Sequence, residues 1–386
     1  MKYNFDNVIN RRNTNSSKWD GADADLLPMW VADMDFEVPP PIKDAIVKRA
    51  EHGIFGYSLP PESYYEAIIN WEKRRHGWAV DKQWIAFSPG IVPAVHMLVR
   101  ALAQPGDKVI VQTPVYYPFF NAIINNGCQI EKNPLQLQNK KYTMDFDDLE
   151  RKVKGPRAKF LILCSPHNPV GRVWNREELV RLGELCVAND VTVISDEIHC
   201  DLIFKGHKHL PFAALDKRFA KNSVTCIAPS KTFNLAGLQT SAVIIPNAKL
   251  RGRFSNVLVS DGLRSPNPFG ITALEAAYNH GEPWLEQLMD YLSDNVDFLI
   301  RFVEERLPMV EVIKPEGTYL VWMDFRKLGL DPDTLEDLML KKARVWLDEG
   351  YIFGRGGEGF ERINVACPRS LLKQGLQRIE RAVNSL

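Results

Sequence analysis

Residues 228–234 read Ala-Pro-Ser-Lys-Thr-Phe-Asn, with a lone lysine, Lys231, among small and polar neighbours. The apolar run just before it, 223–227, has the length and composition of a buried strand. Lys231 is therefore expected where a strand end opens onto a site. A lysine kept there as the free amine attacks aldehydes and forms a Schiff base. Three other segments carry chemistry-bearing residues in the same setting. Ser165-Pro166-His167-Asn168-Pro169-Val170-Gly171 follows the apolar stretch 159–164, and 191–195 runs into Asp196-Glu197-Ile198-His199. Ser88-Pro89-Gly90 opens a helical stretch at 91–103.

Together these supply what pyridoxal phosphate requires: an imine lysine, an anion for the ring nitrogen, a donor for the ring hydroxyl and a phosphate cradle. Lys231 takes the first part and can also remove an α-proton. Asp196 would keep the pyridine nitrogen protonated, making the ring an electron sink. Asn168, stiffened by Pro166 and Pro169, donates to the phenolic oxygen. Gly90 lets the backbone approach a phosphate, and the amides of Ile91 and Val92 begin a helix whose positive end attracts it. Ser230 offers a hydroxyl to the same phosphate. Each residue alone has a plainer reading: a solvated lysine, an N-cap aspartate, a turn asparagine, an ordinary Pro-Gly helix start. Their shared position after strand ends favours one common site.

The elements that must hold them alternate. Short apolar strands are expected at 84–87, 108–112, 128–132, 159–164, 191–195, 223–227 and 240–245, with amphipathic helices such as 176–189 between them. That pattern implies an α/β fold with a mostly parallel sheet covered by helices on both faces. Ligands then bind outside the carboxyl ends of the strands, where Asn168, Asp196 and Lys231 fall. Helical patterns at 267–280 and 283–306 lead to a smaller α+β part, with strands near 318–324 and 361–366 and a closing helix at 370–385.

Composition removes several other classes. Forty-eight basic residues balance 48 acidic ones, so the electrostatic footprint of nucleic-acid binding is missing. No uninterrupted apolar stretch is long enough to span a bilayer, and the first residues lack the apolar core of a signal peptide. The six cysteines show no C-x-x-C spacing and read as reduced core residues of a cytoplasmic protein. His199, His207 and His209 have mixed spacing and no matching thiol or carboxylate set, so no metal is expected. Gly354-Arg355-Gly356-Gly357-Glu358-Gly359 has the spacing of a dinucleotide fingerprint, but a strand pattern rather than a helix follows it.

The order Gly90, Asn168, Asp196, Lys231 resembles the fold-type-I pyridoxal-phosphate enzymes, the aminotransferase class I/II superfamily. Leu27-Pro28-Met29-Trp30-Val31-Ala32-Asp33-Met34-Asp35-Phe36, Gly53-Ile54-Phe55-Gly56-Tyr57 and the lysine heptapeptide followed by Ala-Gly-Leu are most similar to its cystathionine β-lyase (MalY/PatB-type C–S lyase) branch. The resemblance runs to Arg362-Ile363-Asn364-Val365-Ala366-Cys367-Pro368-Arg369. It implies an N-terminal segment, 1–45, packed on a small domain, a large cofactor-binding domain at 46–282 and the small domain at 283–386. Tyr116 would stack on the pyridine ring, while Tyr117 either reaches the imine or leaving group or simply packs in the core. Tyr57 would reach the phosphate in the neighbouring subunit of a homodimer. Arg362, rather than nearby Arg369, would clamp the α-carboxylate of an amino-acid substrate. Many aspartate-type aminotransferases carry an arginine eight positions after the imine lysine; here Gln239 stands there, which disfavours a dicarboxylate aminotransferase. The expected reaction is α,β-elimination on L-cystathionine or related S-substituted cysteines, giving a thiol, pyruvate and ammonia. The alternatives are an aminotransferase for a neutral or aromatic amino acid and, from another class, a regulatory partner of a transcription factor.

Overall fold

Seven strands form the sheet that carries the site, in a computed structural model describing residues 2–386. They are β1 (Ile85–Ser88), β2 (Lys108–Val111), β3 (Gln129–Lys132), β4 (Ala158–Cys164), β5 (Thr192–Asp196), β6 (Ser223–Ile227) and β7 (Ser241–Ile244). Their order across the sheet is β1-β7-β6-β5-β4-β2-β3. Strands β3, β2, β4, β5 and β6 pair in parallel. The expected mostly parallel sheet is present, with β7 antiparallel to both its neighbours. Strands β5 and β6 are buried at every residue, the polar Thr192, Ser195, Asp196, Ser223 and Thr225 included. Alternate residues serve opposite faces: Phe160 and Ile162 join one core cluster, Leu161 and Leu163 another.

Helices α1 (Ile91–Leu102) and α2 (Arg176–Ala188) cover this sheet. A capping box starts α2: the Asn175 side chain accepts from the Glu178 amide, and the Glu178 carboxylate accepts from the Asn175 amide. The site lysine lies on α3 (Pro229–Thr232), a single turn begun by proline. Helices α4 (Pro268–His280) and α5 (Glu282–Arg306) then lead to a second, antiparallel sheet. It comprises β8 (Glu311–Ile313), β9 (Leu320–Asp324), β10 (Asp348–Glu349) and β11 (Phe360–Asn364), ordered β8-β9-β11-β10, and α6 (Arg369–Val383) packs against α5. The strand expected from 318 begins two residues later because Thr318 is left-handed (φ 70°). Strand β11, not a helix, follows the glycine-rich run at 354–359, so no pyrophosphate-binding helix start exists there.

The N-terminal segment ties the two sheets together. Leu27–Pro28 pairs in parallel with Val345–Trp346. Asn364 donates its side-chain amide to the carbonyls of Val31 (2.7 Å) and Asp33 (2.6 Å). Three residues after Lys231, Asn234 accepts from the Met34 amide and donates to the Met34 and Phe36 carbonyls. Asp35 anchors this strap by accepting from Lys18 (2.8 Å), Arg11 (2.7 Å) and Trp19 (2.8 Å). Burial alone would raise the Asp35 carboxyl, but Lys18, Trp19 and Arg11 hold it below the usual range. Lys18 and Asp35 are 1% and 3% exposed, so neither charge is tolerable there without the other.

Candidate functional site

A cavity of about 210 Å³ lies at the carboxyl ends of β4, β5 and β6. Asn168, Asp196, Ser230 and Lys231 all line it, as do Tyr116 and the Gly90–Ile91–Val92 start of α1. The Lys231 ammonium nitrogen donates to the Ala32 carbonyl of the strap at 2.8 Å. Burial, helped by the Arg362 charge, pushes this amine down from the ordinary lysine value to about 8, against weaker opposition from Asp33 and Asp196.

Asp196 ends β5 and accepts from the Ile198 amide at 3.1 Å through one oxygen. Burial raises its carboxyl to about 7; that N–H and the Lys231 charge pull the other way. Among the described residues no cation reaches ion-pair distance of it, so the site holds a carboxylate that still lacks a positive partner. Asn168 accepts from Arg362 Nη1 at 3.0 Å, which leaves its amide nitrogen to face the cavity. Arg362, on β11 and 2% exposed, also donates through Nη2 to the Trp30 carbonyl (2.8 Å) and to the Asp348 carboxylate. Its Nε is buried without a partner.

At the start of α1 no side chain caps the helix, so the first-turn amides of Ile91 and Val92 remain for a ligand. Gly90 is extended there (φ 170°), and an added Cβ would touch only the Pro93 ring, at 3.4 Å. Its value is open approach rather than an unusual dihedral.

Two sequence-named tyrosines stand elsewhere. Tyr117 does not line the cavity; it packs edge-on against Phe353 with ring centres 5.6 Å apart. Tyr57 is fully exposed and contributes nothing to the cavity of its own chain. Arg369 stays apart from the site: it is half-buried, donating to Asn295 at 2.6 Å and lying 4.7 Å over the Phe298 ring. Ala32, Thr240 and His199 are among the cavity residues that escaped the sequence reading. Ala32 contributes a backbone carbonyl, which has no signature. Thr240 lines the wall immediately after Gln239. His199, set aside among the core and surface histidines, lines the cavity with Nδ1 unpartnered. Burial and the nearby Lys231 and Arg362 charges push its pKa far down, so the ring is neutral. Its spacing of three from Asp196 was the available signal.

Outside this cavity, His76, Cys200 and Asp201 bring their ligand-type atoms within 4.8 Å of one another. Asp201 already accepts from Trp71, His76 and Thr232, so the group is a satisfied hydrogen-bond network. His209 likewise pairs with Glu197 at 2.9 Å.

Pyridoxal phosphate fits the unmet valences of the cavity. An unpaired buried carboxylate asks for a cationic ring nitrogen, a depressed lysine for an aldehyde, and uncapped helix amides for a phosphate. The unpartnered nitrogens of His199 and Asn168 remain for polar atoms on the ring.

An unpaired Asp196 has a measurable cost in the cofactor-free protein. Its folded pKa lies above the unfolded value, so folding favours the protonated form. The penalty is absent below pH 3.8, grows to about pH 7 and is full above that. Asp196→Asn should therefore raise the melting temperature of the cofactor-free protein at pH 8 while lowering its affinity for pyridoxal phosphate. A cofactor-free Asn variant that melts at or below the wild type at pH 8 would show that the carboxylate is not stranded.

Comparison with known proteins agrees with this geometry. Residues 24–379 match the model of the family Aminotransferase class I and II. The chain is 49% identical over 386 residues to cystathionine beta-lyase PatB of Bacillus subtilis, covering 99% of this chain and 100% of that one. Cystalysin from Treponema denticola, whose structure contains pyridoxal 5'-phosphate, superposes with a TM-score of 0.97 at 40% identity and full coverage of both chains. The pyridoxal-phosphate-bound C–S lyase of Staphylococcus hominis gives 0.94 at 38% identity, over 99% of this chain and 98% of that one. The chain belongs to the aminotransferase class I and II family, with the architecture of the fold-type-I pyridoxal-phosphate enzymes.

Proposed function

We propose that the protein is a pyridoxal-phosphate-dependent C–S β-lyase, splitting L-cystathionine or related S-substituted cysteines into a thiol, pyruvate and ammonia. The observation that carries this reading is a depressed lysine and an unpaired buried carboxylate in one cavity, beside the Arg362 guanidinium. The choice of reaction rests on full-length likeness to the Bacillus subtilis lyase and on Gln239 in place of a phosphate-binding arginine.

When bound, pyridoxal phosphate supplies an electron sink for the pair left behind as an α-proton departs. Lys231 holds its aldehyde and, once released, serves as the base for that proton. Asp196 would keep the ring nitrogen cationic, and the Asn168 amide would meet the ring oxygen. The amides of Ile91 and Val92, reached past Gly90, hold the phosphate with the Ser230 hydroxyl. Tyr116 stacks on the ring face. Arg362, already aimed by Asn168, Trp30 and Asp348, receives the substrate α-carboxylate with its free Nε available as a donor. The C–S bond then breaks at the β-carbon, the thiolate takes a proton from Lys231 or Tyr117, and the enamine hydrolyses to pyruvate and ammonia.

Incubation of the purified protein with L-cystathionine and no added oxo acid should yield pyruvate, ammonia and homocysteine in equal amounts. Strict dependence on an added oxo acid, with amino-group transfer, would replace this reading by the aminotransferase.

A homodimer completes the proposal. Ile54, Phe55, Tyr57 and Leu59 are 68%, 53%, 111% and 85% exposed on one irregular segment, an apolar strip suited to a second copy. Tyr57 would reach the partner's phosphate, and the six free, buried cysteines suit a cytoplasmic setting. Mixing inactive Lys231→Ala subunits with weakened Tyr57→Ala subunits should restore one working site per mixed dimer. No gain in activity after subunit exchange would place Tyr57 outside the site.

A further inference from the structure

Each strap carbonyl from Trp30 to Asp33 meets a donor. Arg362 reaches that of Trp30, and Asn364 those of Val31 and Asp33. Between them the Ala32 carbonyl accepts twice, from Lys231 Nζ at 2.8 Å and from the Tyr319 hydroxyl at 3.0 Å. A carbonyl oxygen has two lone pairs, so these donors fill it. Tyr319 belongs to the small lobe, fully buried just before β9. It follows the left-handed Thr318, whose amide donates to the Leu202 carbonyl at 2.7 Å. Its own carbonyl accepts from the Val365 amide at 2.9 Å, and its ring meets His199 edge-on with centres 6.0 Å apart. The groups acting on its hydroxyl are Asp33, Arg362 and Tyr116, and burial pushes it far above the ordinary phenol range, so it stays a donor. Tyr319 does not line the cofactor cavity; its influence there passes through the shared carbonyl.

A neutral amine has two N–H bonds and one lone pair. With one N–H spent on Ala32, the lone pair of Lys231 is turned away from the strap. An ammonium gains more from a carbonyl than an amine does, so a carbonyl that no other donor shared would favour the charged lysine. The Tyr319 O–H draws on the same oxygen and weakens that pull. It also fixes the carbonyl whether or not Lys231 is bonded to it. We infer that Tyr319 is a positioning residue for Lys231, its hydroxyl holding the Ala32 carbonyl as the dock to which the lysine amine returns whenever it parts from the cofactor. The inference rests on Lys231 as the lysine that meets the aldehyde, and not on which substrate bond is broken.

The test follows capture of pyridoxal phosphate by the cofactor-free wild type, Tyr319→Phe and a control, Tyr142→Phe, as pH is varied. Tyr142 is also buried, but its hydroxyl accepts from Trp322 Nε1 at 3.1 Å and does not meet the strap. The charged groups acting on Lys231 are Arg362, Asp33 and Asp196, and neither substitution removes any of them. Tyr319→Phe should move the capture midpoint up from about 8 by roughly half a unit. Capture at pH 6 should then slow about threefold, the scale of one neutral hydrogen bond. In the loaded enzyme kcat should fall while KM is unchanged, because Arg362 still holds the carboxylate. Tyr142→Phe should leave midpoint and kcat at the wild-type values. Tyr319→Met, which fills the space without a donor, carries the same expectations if the phenylalanine variant does not fold. A midpoint unmoved or lowered in the Tyr319 variant, or raised equally by Tyr142→Phe, would overturn the inference. Capture needs no substrate, so a raised midpoint in a protein that cleaves no thioether would sink the lyase reading alone.

Discussion

A lysine that gives up its proton far more readily than an exposed one is the constraint on which the rest of the structure depends. An exposed lysine is protonated and inert toward an aldehyde, so the fold must make the charged form unfavourable without excluding the cofactor. Burial of Lys231 at the end of β6 supplies most of this, and the nearby Arg362 guanidinium adds to it. The obvious remedy, an ion pair with Asp196, is withheld: the two groups interact, but no salt bridge forms between them. In the proposed site Asp196 is thereby left for a ring nitrogen, and Lys231 for a carbon. Pairing them directly would satisfy the empty protein better and leave it without a site.

Arg362 couples this chemistry to the second sheet. Its fork is filled by Asn168 from the large sheet, Trp30 from the strap and Asp348 from β10, so three chain segments must be correctly placed before the guanidinium is aimed. Residues 29–36 perform that alignment. Their carbonyls meet Arg362 and Asn364 on one side and Lys231 and Asn234 on the other, while Asp35 secures them through Lys18 and Arg11.

Much of the fold and part of the site were legible in the sequence. Continuous apolar runs located the central strands because parallel strands are buried on both faces, and β6 occurs at the residues expected, Ser223–Ile227. Gly90, Asn168, Asp196 and Lys231 stood out because each follows such a run, and the structure does gather them into one cavity. The reversal of β7 was invisible, since a buried strand looks the same in either direction. Ala32 could not be found because a carbonyl meeting Lys231 from 199 residues away leaves no trace in residue type. His199 was obscured by its plain alternative, a core histidine, which in burial it also is. Trp30 stacks on Trp346 although they are far apart in the chain, because Leu27–Pro28 pairs in parallel with Val345–Trp346.

The state of the Lys231 amine is most directly read from the rate at which cofactor-free protein captures pyridoxal phosphate as pH is varied, followed by the visible absorbance of the lysine-bound form. Capture should rise with pH and level off around a midpoint of about 8, with Lys231→Ala showing no such absorbance at any pH. A midpoint at the ordinary lysine value, 10.5, or an unchanged absorbance in the alanine variant, would contradict a buried free amine at this position.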